Sequence, residues 1–194
     1  MRDTDICAWD LSGICIMLTF TQYALESLMQ APRIPANEGA RVATLHALNI
    51  LDTPPEDRFD RLTRLARRVF NVPVSTITMI DANRQWFKSC GGVSVRETPR
   101  DISFCAHAIL YDDILVVENA LKDERFHDNP FVVQDPKIRF YAGCPLLVNG
   151  YRMGTICIID QKPRHFTDDD RQLLKDLAVM AEQELAVSQP AMSA

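Results

Sequence analysis

The chain has 194 residues, 47% of them hydrophobic and 24% charged, a globular mixture sufficient for one domain with room for extra segments. A formal net charge of −5, with no Lys/Arg-rich run, argues against a nucleic-acid partner. The six cysteines (Cys7, Cys15, Cys90, Cys105, Cys144 and Cys157) include no CxxC pair, a pattern that fits buried, reduced thiols in a cytoplasmic protein better than a disulfide framework.

Residues 11–25, "LSGICIMLTFTQYAL", are uncharged, but this run is shorter than the ~20 residues a membrane-spanning helix needs. The start, "MRDTDICAWD", carries three acids and one Arg where a secretory signal wants a positive start. Residues 1–36 are therefore expected to be an N-terminal extension and linker, with no membrane partner. Val42, Leu45 and Leu48 then recur at helical spacing, and "LDTPPED" ends that helix. Phe59, Leu62, Leu65, Ala66, Val69 and Phe70 mark a second amphipathic helix. "VSTITMI" (74–80) reads as a strand and "RQWFKS" (84–89) as its hairpin partner, with 91–101 a loop. Ser103 is the expected N-cap of a helix of about two turns. "ILVVE" (114–118) is a further strand, and 119–137 is a long polar loop. Asn149-Gly150 between two apolar runs predicts a tight hairpin. Thr167 and Asp170 form a capping box for the last helix. The order of elements predicts an α+β fold, an antiparallel sheet covered on one face by the terminal helices.

In "ALNILDTPPEDRFDRLTRLA", "ITMIDANRQWFKS", "RETPRDISFCAHAI", "LVVENALKDERFHDNP", "IRFYAGCPL" and "GTICIID", the sequence resembles GAF domains, above all the sensory GAF domains of bacterial signalling proteins such as sensor kinases and diguanylate cyclases. The resemblance spans about residues 37–187 and leaves 188–194 as a C-terminal tail. It implies a six-stranded antiparallel sheet whose second face carries short helices and loops around a small-molecule pocket. It also implies a regulatory module. The segment after residues 164–166 is too short for a fused output domain, so the expectation is a signalling output protein acting as partner, or a stand-alone sensor.

Individual residues are weighed on that frame. Cys105 and His107, two apart on a helix, point to different faces and do not form a nucleophile–base pair. Cys105 reads as a core residue, as pocket lining, or as a thiol activated near a helix N-terminus. His46, His107, His127 and His165 show no zinc spacing, so no metal is expected. Haem ligation by His107 or His127, or bilin attachment at Cys105, would follow only from particular GAF subclasses and is set low. Trp86 and Phe87 face opposite ways, and Trp86 is carried as a ligand candidate, as are Phe104 and, in the long loop, Phe126. Counting outward from the Val148–Tyr151 turn places Arg139 opposite Asp160, Tyr141 opposite Ile158, and Cys144 opposite Thr155 with Cys157 diagonal to it. Ile138, Phe140, Ala142, Cys144 and Leu146 then share one face, and Arg139, Tyr141 and Leu147 the other. A bulge at Gly143 or Pro145 would shift this register. Arg139 with Tyr141 suits a small anionic or polar ligand, unless Arg139 pairs with Asp160.

The resulting expectation is a non-catalytic, ligand-binding sensory module and not an enzyme. The alternative is an enzyme resembling the free methionine sulfoxide reductases, with Cys105 near that family's catalytic cysteine. Residues 119–137, where that family keeps a helper cysteine, contain none. A homodimer is expected, because Leu173, Leu177 and Met180 stand beside Leu174, Ala178 and Leu185 on the last helix.

Overall fold

The computed structural model describes residues 29–187. The uncharged run at 11–25, Cys7, Cys15 and the tail at 188–194 lie outside the described residues. Helices α1 (Glu38–Ala47) and α2 (Asp57–Val69) lead into strands β1 (Val74–Ile80), β2 (Arg84–Gly91) and β3 (Glu97–Pro99). Helix α3 (Phe104–Ala108), β4 (Leu115–Val117), a short 3-10 turn (Ala120–Lys122) and α4 (Pro130–Val133) follow. The long hairpin β5 (Phe140–Val148) and β6 (Tyr151–Asp160) precedes α5 (Asp168–Val187). The strands form one six-stranded sheet in the order β3-β2-β1-β6-β5-β4, every paired neighbour antiparallel.

Local sequence signals account for most of these elements. Ser103 Oγ accepts from the Ala106 amide at 3.0 Å and starts α3. Thr167 and Asp170 make the reciprocal capping box, with Asp170 N donating to Thr167 Oγ1 at 3.1 Å and Thr167 N to Asp170 Oδ2 at 3.0 Å. Asn149 (φ 52°) and Gly150 (φ 80°) adopt the left-handed backbone that a two-residue hairpin turn requires. The short strand β3 lies within the stretch expected to be loop. Its three residues are exposed, half-buried and exposed, a run too short for alternation to mark in the sequence.

The two faces of the sheet differ in kind. On one, α1, α2 and α5 cover an apolar core built on Ile77, Met79, Phe140, Ala142, Leu146, Ile156 and Ile158, with Leu45, Phe59, Leu174 and Leu177 above it. Of the Leu173, Leu177 and Met180 set on α5, Leu177 belongs to this core, while Met180 is 43% exposed. On the other face lie Ile80, Leu115, Val117, Tyr141 and Cys157, packed under α3 and the loop that contains α4.

In the β5–β6 hairpin, register departs from simple counting at one place. Val148 pairs with Tyr151 and Leu147 with Arg152, but Leu146 pairs with Gly154, leaving Met153 as an extra residue in β6. From there on Tyr141 stands opposite Ile159, Gly143 opposite Cys157 and Cys144 opposite Ile156. The expected oppositions of Arg139 with Asp160, Tyr141 with Ile158 and Cys144 with Thr155 are therefore replaced. Cys144 and Cys157 are not diagonal neighbours but belong to opposite faces. The bulge sits in β6, not at Gly143 or Pro145, and Gly154 beside it is obligatory: a Cβ there would lie 1.8 Å from the Thr78 carbonyl oxygen of β1.

One buried ionic node fastens α1 to the sheet. Arg41, 1% exposed, donates to the Ile80 carbonyl at 2.6 Å and to both carboxylate oxygens of Glu38. Arg100 also donates to Glu38 and reaches the carbonyls of Asp81 and Ala82 at 3.1 Å. Burial alone would raise the Glu38 pKa, but the hydrogen bonds from the two guanidinium groups outweigh it and hold the carboxyl down to about 2, against an ordinary 4.5. Because the folded pKa is depressed, this stability is complete above pH 4.5 and is lost as pH falls from there toward 2. Glu38→Gln, which leaves two buried cations unmatched, should cost about 3 kcal/mol at neutral pH. It should also flatten the acid limb of stability between pH 4.5 and 2, measured by urea denaturation across pH. An unchanged acid limb would show that the node does not carry this dependence.

Candidate ligand cavity

The face without the long helices encloses a cavity of about 410 Å³. Its floor is the sheet: Thr76 of β1, Gln85 and Phe87 of β2, Cys157 and Ile159 of β6, and Tyr141 of β5. One wall is the β2–β3 connection at 92–95 with Thr98. The other is Phe104 and Cys105 of α3 together with Phe131, Pro136 and Ile138 of the long loop. Among the described residues lining it there is no lysine or arginine. Asp160 stands at the rim, where Arg164 Nε holds its carboxylate at 2.6 Å.

The centre of the floor carries hydroxyl and thiol groups in place of hydrocarbon. Thr76 and Thr78 alternate with Ile77 and Met79 along β1, so their side chains share the cavity face. Thr76 is opposite Cys157, with Oγ1 3.1 Å from its sulfur; Thr78 is opposite Thr155, with hydroxyls 3.3 Å apart. Cys105 Sγ comes down from α3 to 3.9 Å from Cys157 Sγ. The Tyr141 ring lies along β5 over Gly143, where an added Cβ would be 2.0 Å from its hydroxyl. Tyr141 is fully buried, and its hydroxyl lies among Cys105, Cys157 and Thr155 without a well-directed partner. Burial pushes the Tyr141 phenol up, as do the neighbouring cysteines. At Cys105 burial also raises the pKa, but the polar hydrogens of Cys157, Thr155, Tyr141 and Thr78 outweigh it and hold the thiol below its ordinary range. Cys157 is raised in turn by its hydrogen bond to Cys105 and by burial, so of the two sulfurs Cys105 is the more readily deprotonated.

The seven sequence candidates divide between the cavity and its surroundings. Phe104, Cys105 and Tyr141 line it. Trp86 does not: it sits opposite Met79 in the helix-side core, 5.9 Å from the Lys88 ammonium, and Phe87 takes the cavity side. Phe126 backs the cavity from behind, stacked on Phe104 with ring centroids 4.0 Å apart. His107 packs edge-on to Phe126, and its Nε2 donates to the Gln30 carbonyl at 2.9 Å; burial lowers its pKa and keeps it neutral. Arg139 is not paired with Asp160. Its guanidinium donates to the carbonyls of Val132 and Ile138 at 2.9 and 3.0 Å, so it holds the loop wall and is not among the residues that line the cavity. Sequence reading missed Thr76, Gln85, Phe87 and Cys157. The Thr-Ile-Thr-Met alternation of β1 was the available signal for the first of these.

A second, more open cavity of about 450 Å³ lies across the 92–95 connection, lined by Arg64, Arg67 and Arg96. It shares Phe87 and that connection with the first cavity.

The GAF domain family model matches residues 54–185. A curated protein of Pseudomonas aeruginosa, named as a cyclic di-GMP phosphodiesterase, is 40% identical over 137 residues. The match takes in 70% of this chain, and the chain spans 23% of that relative's length. The GAF domain of an Acinetobacter phosphoenolpyruvate-protein phosphotransferase superposes with a TM-score of 0.58 at 18% identity, over 77% of this chain and 94% of the other. The free methionine-R-sulfoxide reductase of Neisseria meningitidis superposes with a TM-score of 0.56 at 15% identity, over 82% and 98% of the two chains. These two likenesses show the fold. The Pseudomonas relative overturns the expectation that the chain is not an enzyme, because a protein this similar over the same segment bears an enzyme's name.

Gly143→Ala should destabilise the protein by about 1–3 kcal/mol through forced displacement of the Tyr141 ring. Tyr141→Phe, which keeps the ring over Gly143 and removes only a hydroxyl that lacks a well-directed hydrogen bond, should cost less than Gly143→Ala in denaturant unfolding. Equal costs for the two changes would refute the placement of the ring over Gly143.

Proposed function

The chain belongs to the GAF domain family, and we propose that its cavity binds a small, uncharged, largely apolar molecule whose occupancy regulates cyclic di-GMP phosphodiesterase activity in a bacterial signalling protein. The observation that carries this reading is the cavity itself: about 410 Å³, walled mostly by apolar side chains, with a few hydroxyl, thiol and amide groups on its floor. That composition is typical of sites that take small organic ligands. The lining offers an anion no countercharge, which replaces the anionic ligand suggested by Arg139 in the sequence. The phosphodiesterase output is taken from the name of the Pseudomonas relative, of which this chain spans 23%.

The reading includes a second copy as partner. Val179, Met180 and Val187 of α5 are exposed and apolar, a surface for helix pairing between protomers. It also places the protein in the cytoplasm: the described cysteines are free, and no helix among the described residues is long and apolar enough to cross a membrane.

The test is native mass spectrometry combined with titration of N-phenyl-1-naphthylamine, a neutral probe that fluoresces in apolar cavities. A dimer mass and saturable probe binding are expected. Ile159→Trp, which fills the floor, should weaken binding about tenfold or more, the loss of roughly 1.4 kcal/mol of contact energy. A monomer would remove the dimer from the reading, and probe binding indifferent to Ile159→Trp would remove the cavity.

A further inference from the structure

Two cysteines of different elements meet in the cavity, and the reason is geometric. Cys157 occupies the centre of β6 with Thr76 on one flank and Gly143 on the other. Gly143 has no side chain, so the space above that flank is filled only by the Tyr141 ring folded across it. Cys105, in the first turn of α3, descends into the remaining space, and the two sulfurs stand 3.9 Å apart. Both line the cavity, Cys105 at 3% and Cys157 at 0% exposure, so a small solute admitted there meets Cys105, with Cys157 directly behind it. A disulfide needs an S–S distance of about 2.05 Å. The approach required is under 2 Å, within the scope of side-chain rotation and a small shift of a five-residue helix. The Tyr141 hydroxyl, set among Cys105, Cys157 and Thr155, adds a polar group at the same point.

The other described thiols are built differently. Cys144 lies in the helix-side core with its pKa pushed up to about 12, and Cys90 donates to the Val95 carbonyl with its pKa pushed up to about 11. Cys105 alone among the described cysteines is held below the ordinary thiol range, and a thiolate is the form that attacks.

We propose that Cys105 and Cys157 are a redox pair, oxidised to a disulfide by a small hydroperoxide that enters the cavity. The inference rests on the reading of the cavity as a chamber for small neutral molecules. The Cys105 thiolate sulfur attacks the terminal peroxide oxygen and the O–O bond breaks. Cys105 becomes a sulfenic acid, and the departing alkoxide or hydroxide takes a proton from solvent. The Cys157 sulfur then attacks the sulfenic sulfur. The S–O bond breaks, the S–S bond forms, and the leaving hydroxide carries off the Cys157 proton as water. Two thiols and one hydroperoxide give a disulfide, an alcohol or water, and a further water; the peroxide gains the two electrons that the sulfurs lose. The new bond ties α3 to the middle of the sheet and alters the chamber that α3 walls.

The experiment treats the reduced full chain with hydrogen peroxide, followed by non-reducing peptide mapping. The expected product is a linked pair of peptides containing Cys105 and Cys157, with an intact mass lower by two hydrogens that is restored by dithiothreitol. In Cys157→Ala, Cys105 should be trapped as a sulfenic acid by dimedone. In Cys105→Ala, Cys157 should stay reduced at the same dose. Oxidation of Cys90 while the Cys105 and Cys157 peptides stay reduced in the wild type would overturn the proposal, and that result needs no variant to fold. N-phenyl-1-naphthylamine binding by the same reduced sample separates the two readings. Binding without a disulfide removes only the redox pair, whereas no binding removes the chamber on which the pair depends.

Discussion

A single inserted residue, Met153, fixes which side of the sheet β5 and β6 present to each other. If the register set by the Asn149-Gly150 turn ran on unbroken, Tyr141 would face Ile158, and Cys157 would fall on the helix side. With Met153 extruded, Gly143 faces Cys157 and Tyr141 faces Ile159, so the polar positions of β5 and β6 share the cavity face and the apolar ones share the helix face. A slip of one residue in a strand exchanges its two faces entirely, so both the core and the cavity depend on this bulge. Gly154 secures it by letting β1 and β6 approach where any Cβ would collide with the Thr78 carbonyl.

The consequence is a division of labour between the faces. Stability comes from the helix side, where α1, α2 and α5 bury a continuous hydrocarbon core. The other side gives up part of that burial to hold a cavity floored by Thr76, Cys157 and Tyr141. Its walls are short segments with little packing of their own, so they are pinned by polar contacts. Arg139 holds the carbonyls of Val132 and Ile138, Asn129 caps α4 and donates to the Ile102 carbonyl, and Arg100 ties the start of α3 to Glu38 and the β1–β2 turn. Phe126, fully buried, supports Phe104 from behind. The chamber is thus shaped in part by residues that do not line it.

The elements carried by local chemistry were legible in the sequence: the amphipathic stripe of α2, the Ser103 cap, the Asn-Gly turn and the Thr167–Asp170 box each need only neighbouring residues to act. The parts that depend on distant partners were not. Met153 lies in an apolar run that looks the same with or without a bulge. Trp86 and Phe87 are adjacent large aromatics, and only the extra residue Lys88, which shifts the β1–β2 pairing, puts Trp86 under the helices and Phe87 in the cavity. The placement of Arg139 was not legible because its acceptors are backbone carbonyls, which leave no mark on the residue pattern. Cys157 was counted as a core thiol because its neighbour across space, Cys105, is 52 residues away in sequence.

The central claim is that the enclosed cavity over Thr76 and Cys157, and not the open arginine-lined one beside it, receives the ligand. Hydrogen–deuterium exchange with and without saturating N-phenyl-1-naphthylamine addresses it directly. The account predicts slower exchange at the amides of 92–95, of α3 and of 131–138, with α1 and the Arg64–Arg67 stretch of α2 unchanged. Protection centred on Arg64, Arg67 and Arg96, with none at α3 or 131–138, would contradict it.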